Sequence, residues 1–125
     1  MVLDIDMTDY DDVRTCCEGA AVCEKCWKFM AVAVDIIDKA LKEDFGFDDM
    51  LWVFSGRRGI HCWICDDFGR GMKGEVRASI MDYLSVNLGN EMNSNRVSLP
   101  DKIHPALKRA FSIIGNRFKE IVIED

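Results

Sequence analysis

Leu51-Trp52-Val53-Phe54-Ser55-Gly56-Arg57-Arg58-Gly59-Ile60-His61-Cys62-Trp63-Ile64-Cys65 reads as a β-hairpin. Two apolar runs rich in β-branched and aromatic residues flank a turn with a glycine at each shoulder. The hairpin commits this part of the chain to a sheet, and its turn carries the chemistry. Glycine lets a backbone approach a ligand closely, and two adjacent arginines offer permanently charged, fork-shaped donors. With Ser55 and His61 on the flanking strands, four donors of the kind that hold polyphosphate converge on one loop: Ser55, Arg57, Arg58 and His61. Arg-Arg alone would read as a solvated basic turn. The glycine-bracketed set reads as a ligand site.

Working outward, residues 2 to 7 alternate as a strand does, with Leu3, Ile5 and Met7 on one face and Val2, Asp4 and Asp6 on the other. An acidic, cysteine-rich loop follows over residues 8 to 26. Met30, Val34, Ile37 and Leu41 recur at helical intervals, so a helix is expected from Trp27 to Phe45, with Gly46 as its C-cap. A second amphipathic helix is expected over 74–88, closed by Gly89, then a polar loop from Glu91 to Asp101. A last helix runs from Pro105 to Val122 with His104 as cap or surface residue. Strand, helix, strand, strand, helix, helix indicates an α/β fold of the α+β kind, a mixed sheet with helices on it.

At 125 residues the chain is one domain or a piece of one, and its 49% hydrophobic content supports a packed core. A net charge of -6 argues against holding nucleic acid by charge alone, so a polynucleotide must be gripped by local arginines, metal or another subunit. No apolar run is long enough to span a membrane, and no secretory signal opens the chain, which implies a cytosolic or nuclear compartment. Six cysteines in such a compartment suggest metal binding or buried thiols rather than disulfides. Both ends read as cut from something longer.

Two constellations accompany the hairpin. In Asp4-Ile5-Asp6, side chains two apart on a strand leave the same face, and two unpaired carboxylates there repel unless a cation sits between them. An isolated Asp-x-Asp usually marks the exposed side of a strand. Beside a polyphosphate loop it points to a divalent metal, since Mg²⁺ rests on one or two carboxylates plus substrate phosphates. Cys16, Cys17, Cys23 and Cys26 fall within eleven residues. Four thiolates so close suit a tetrahedral structural zinc better than a set of unrelated thiols. Cys62 and Cys65 are expected to be core thiols, Trp27, Trp52 and Trp63 core aromatics, and Asp9, Asp11 and Asp12 a solvated charge run.

These motifs closely resemble the family of small catalytic subunits of eukaryotic DNA primases. Asp4-Ile5-Asp6, Cys16-Cys17 with Cys23-x-x-Cys26, and Trp52 to Trp63 carry the resemblance in order. Ala40 to Phe47 and Lys102-Ile103-His104-Pro105 extend it. The resemblance implies the archaeo-eukaryotic primase fold, here a partial catalytic domain over 1–125 with a zinc-binding loop, 8–26, inserted after the first strand. It implies that Asp4 and Asp6 are catalytic and hold Mg²⁺ or Mn²⁺. Ser55, Arg57, Arg58 and His61 would bind the triphosphate of a nucleotide, and Cys16, Cys17, Cys23 and Cys26 structural Zn²⁺.

The implied activity is that of a DNA-directed RNA polymerase, a nucleotidyltransferase making short RNA primers for DNA replication on single-stranded DNA from ribonucleoside triphosphates. The implied partners are the primase large subunit in a heterodimer and the DNA polymerase alpha complex, in the nucleus. The family's third metal-binding aspartate lies in a downstream strand that this sequence does not contain, so the chain resembles the central part of the subunit. Weak or absent primer synthesis by this polypeptide alone is expected. The alternative is a truncated, catalytically silent, zinc-stabilised fragment acting at most as a binding module.

Overall fold

The computed structural model describes residues 1–85 and 102–123. Strand β1, Val2–Asp6, leads into a short 3-10 helix, Met7–Tyr10, and a turn-rich segment. Helix α1 spans Glu24–Phe45, beginning three residues before the sequence pattern suggested. The apolar periodicity starts at Trp27, but Cys23 already serves as the N-cap, so Cys26 belongs to the first helical turn rather than to the loop. Gly46 ends α1 in the left-handed region, φ 72°, as a C-cap glycine does.

Strands β2, Met50–Phe54, and β3, Gly59–Ile64, form the expected hairpin. Helices α2, Asp67–Arg70, and α3, Gly74–Leu84, follow. Helix α3 is shorter than the predicted 74–88. Ser85 is already extended, and its hydroxyl donates to the Met81 carbonyl at 2.8 Å. Gly89 and the predicted loop from Glu91 to Asp101 lie outside the described residues. Helix α4, Pro105–Phe118, passes into a π-helical turn at Lys119–Ile123. His104 caps α4, its Nδ1 accepting from the Ala106 amide at 3.0 Å.

The α/β class read from the sequence holds. The sheet is small, with strand order β1-β3-β2 and both pairings antiparallel. β1 and β2 thus run parallel to each other with β3 between them. The register Val2↔Trp63↔Leu51 and Asp4↔His61↔Val53 divides the sheet into two faces. Leu3, Ile60, Cys62 and Ile64 turn inward and pack with Leu41 and Met30 of α1 in two neighbouring clusters that Trp52 bridges. Asp4, Asp6, His61 and Trp63 turn outward.

Two of the side chains expected in the core are not there. Trp63 is half exposed because strand alternation puts it on the outer face, and Cys65 is exposed because it lies just beyond β3. Cys62 is fully buried as expected. Helix α4 is tied to α1 by Arg109 on Asp44 at 2.6 Å and Arg117 on Asp35 at 2.8 Å.

Gly59, buried opposite Asp6, lets β3 approach β1 closely: a Cβ there would lie 2.6 Å from the Ile5 carbonyl oxygen. Relief requires backbone to move, not a flexible side chain. Gly59→Ala is therefore expected to cost about 1–3 kcal/mol, read as a lower urea midpoint at unchanged slope. An unchanged midpoint would show that β1 yields without cost.

Candidate metal and phosphate site

Pairing of β1 with β3 brings the Asp-x-Asp strand alongside the arginine turn. His61 Nε2 lies 3.4 Å from Asp4 Oδ1, and Arg58 Nε donates to Asp6 Oδ2 at 3.1 Å. The Met7 amide donates to the Arg58 carbonyl at 2.9 Å, stitching the turn to the end of β1. Asp6 is held on its other oxygen by Thr8, whose amide and hydroxyl both donate to Oδ1 at 2.9 Å. The Thr8 amide is the main cause of a pKa lowered from the ordinary 3.8, assisted by the Thr8 hydroxyl and Arg58. Asp6 is thus a fixed carboxylate, whereas Asp4 is largely exposed.

The turn is built by Ser55. Its Oγ accepts from the Gly59 amide at 3.1 Å and the Arg57 amide at 3.4 Å, while its own amide donates to the Gly59 carbonyl at 2.9 Å. Gly56 sits at φ 91°, a conformation that favours glycine. The hydroxyl proton of Ser55 is not used by these bonds and remains available to an oxygen acceptor. The structure thus gathers Asp4, Asp6, Arg58 and His61 on one face. It does not place Arg57 with them: Arg57 lies along a groove beside Trp27 and Phe54.

The four clustered cysteines, two in the loop and two at the start of α1, converge. Their sulfurs all lie within 4.8 Å of one another, the only group of three or more potential His, Cys, Asp or Glu metal ligands among the described residues. Cys23 Sγ and Cys26 Sγ are 3.9 Å apart. Zinc–sulfur bonds of about 2.3 Å in a tetrahedron put sulfurs about 3.8 Å apart, so the pair matches that geometry. The cluster could hold a metal ion, and its soft donors fit zinc. The Cys26 amide is the main cause of a Cys23 pKa lowered to about 6, which favours the thiolate form that a metal takes. Hydrogen bonding to Cys23, then burial, raises Cys17 to about 12.

Two supporting residues were missed by sequence reasoning. Arg14 is the one buried charged residue among those described. Its guanidinium donates to the carbonyls of Ala21 at 2.8 Å and Gly19 at 2.7 Å, to Asp11 at 2.8 Å, and to Cys26 Sγ at 3.6 Å. It thereby organises the metal loop from within. The available signal was its standing as the single cation between Asp9 and Glu24. It also takes Asp11 out of the charge run that the sequence presents as solvated. Thr8 was visible as a residue two past an aspartate, the spacing of a local side-chain cap.

A family model described as DNA primase small subunit matches residues 3–125. A DNA primase small subunit of Drosophila melanogaster is 53% identical over all of this chain and 29% of its own length. Those of Schizosaccharomyces pombe and Saccharomyces cerevisiae are 49% and 45% identical, again over the whole chain and 28% and 30% of their lengths. The chain spans less than a third of the relatives it matches.

Proposed function

Since the chain belongs to the DNA primase small-subunit family, we propose that it carries the metal- and triphosphate-binding part of a primase catalytic subunit. The observation that supports this most is the juxtaposition, on one sheet face, of Asp4 with His61 and of Asp6 with Arg58. In this reading Asp4 and Asp6 hold Mg²⁺ or Mn²⁺, which supplies electrostatic stabilisation to in-line nucleotidyl transfer when bound. Cys16, Cys17, Cys23 and Cys26 hold zinc and fix the loop that connects β1 to α1.

The side chains divide the work by charge. Arg58 and His61 rest on Asp6 and Asp4 and are within reach of anions on the same face. With a divalent cation on the two carboxylates, Arg58 and His61 would be free to donate to phosphate oxygens on the same face. Ser55 donates its hydroxyl proton to a phosphate oxygen while its lone pairs keep the turn closed. Arg58 stabilises the charge that develops on the departing pyrophosphate as the nucleotidyl group is transferred. Template strand, primase large subunit, DNA polymerase alpha complex and a nuclear setting belong to the same reading.

Only two carboxylates face Arg58 and His61 among the described residues, so catalysis by this chain alone is expected to be weak. Primer synthesis on poly(dT) with ATP and Mn²⁺ tests the reading. A low yield that rises on adding the large subunit is the expected result. No product in either case would sink the polymerase reading for this chain.

A further inference from the structure

The two adjacent arginines go to opposite sides of the hairpin. Arg58 reaches Asp6 on the outer face, whereas Arg57 lines a groove with Val22, Cys23, Glu24, Trp27 and Phe54. Phe54 belongs to the same alternation as Met50 and Trp52, which face helix α1, so the groove opens on the helix side of the sheet. Trp27 and Phe54 meet edge to face with ring centroids 5.3 Å apart. Phe54 is 55% exposed, an unusual position for a phenylalanine at the end of a strand. The Arg57 guanidinium is exposed, and no hydrogen bond or ion pair to it occurs among the described residues.

An exposed aromatic face backed by a second ring, with an unengaged guanidinium at its rim, is the chemistry that holds an unpaired base and its phosphate. We propose that this groove is a stacking subsite for a base of single-stranded DNA, Phe54 taking the base and Arg57 the adjacent phosphate. The inference rests on the primase reading and assigns to Arg57 a task separate from that of Arg58. The occupant is a strand rather than a free nucleotide because the groove and the Asp4–Asp6 site lie on opposite faces of the sheet. A strand can continue past the tip of the turn from one face to the other. Glu24, exposed at the groove's edge, opposes a phosphate and limits affinity.

The test is titration of the full chain into a fluorescein-labelled dT 15-mer, read by anisotropy, with Mn²⁺·ATP binding measured in parallel by calorimetry. Phe54→Leu is expected to weaken the oligonucleotide about 5- to 10-fold and leave Mn²⁺·ATP affinity unchanged. Phe54→Tyr, which keeps the ring, is expected to retain binding within about twofold. Glu24→Gln should tighten it. Unaltered oligonucleotide affinity in Phe54→Leu, or absence of oligonucleotide binding by the unmutated chain, overturns the proposal. So does a loss confined to Mn²⁺·ATP, which would make the groove the seat of the nucleotide's own base. Loss of Mn²⁺·ATP binding by the unmutated chain with oligonucleotide binding intact would instead count against the outer-face triphosphate site and leave the groove standing.

Discussion

Replacing Cys26 by serine is expected to reduce the zinc proposed for the cysteine cluster from one ion per chain to less than about a tenth of that, because a closed four-thiolate site cannot spare a ligand. Cys26 is the ligand to choose. It is buried in the first turn of α1 against Met7, Met30 and Ile60, and its sulfur accepts from the Cys23 amide at 3.3 Å and from Arg14. A serine hydroxyl can still accept from both donors, so the substitution removes the metal with least damage to the hydrogen bonds. The loop between Asp11 and Cys23 contributes few buried apolar side chains, and without zinc it depends on Arg14 and a few backbone hydrogen bonds. The melting temperature should fall to the value that a chelator gives the unmutated chain. Metal analysis decides the matter: zinc absent from the unmutated protein, or retained in Cys26→Ser, would remove the site.

The second large effect is expected at Asp6. Asp6→Asn should weaken Mn²⁺·ATP binding by at least about 100-fold, since the loss of the direct carboxylate ligand proposed for this position exceeds the 10- to 100-fold typical of a supporting residue. The asparagine carbonyl can still accept from the Thr8 amide and hydroxyl, so the turn into the metal loop survives while the charge and the bond from Arg58 are lost. The pH dependence follows from the lowered pKa of Asp6. A carboxyl whose folded pKa is depressed contributes stability above its unfolded value and loses it as pH falls through the folded one. Protonation of Asp6 therefore does not limit binding between neutrality and about pH 5. Calorimetry showing equal affinity for Asp6→Asn and the unmutated chain would exclude Asp6 from the metal site.

Much of this was legible in the sequence because local rules happened to govern it. The hairpin, the αL cap at Gly46, the proline-led start of α4 behind His104 and the cysteine cluster each follow from short-range chemistry. The sequence was less informative where tertiary contacts decide. Cysteine is not a usual N-cap, so the early start of α1 was hidden. Trp63 looked like core by composition, although the alternation of Ile60, Cys62 and Ile64 already assigned it the other face. Arg57 and Arg58 are chemically alike and adjacent, and only the pairing of β1 with β3 gives Arg58 a carboxylate and leaves Arg57 beside Trp27.

The strand order has a kinetic consequence. The turn holding Ser55, Arg57 and Arg58 closes within a local hairpin, an event of about 1–10 μs. The bond from Arg58 to Asp6 joins residues 52 positions apart and must wait for α1 to form and for β1 to find β3. The anion cradle is accordingly expected to exist before the carboxylates arrive. In pulse-labelled hydrogen exchange the β2–β3 amides should gain protection ahead of those of β1, and simultaneous protection would contradict this order. During synthesis or refolding, the half of the site that attracts phosphate then precedes the half that attracts metal.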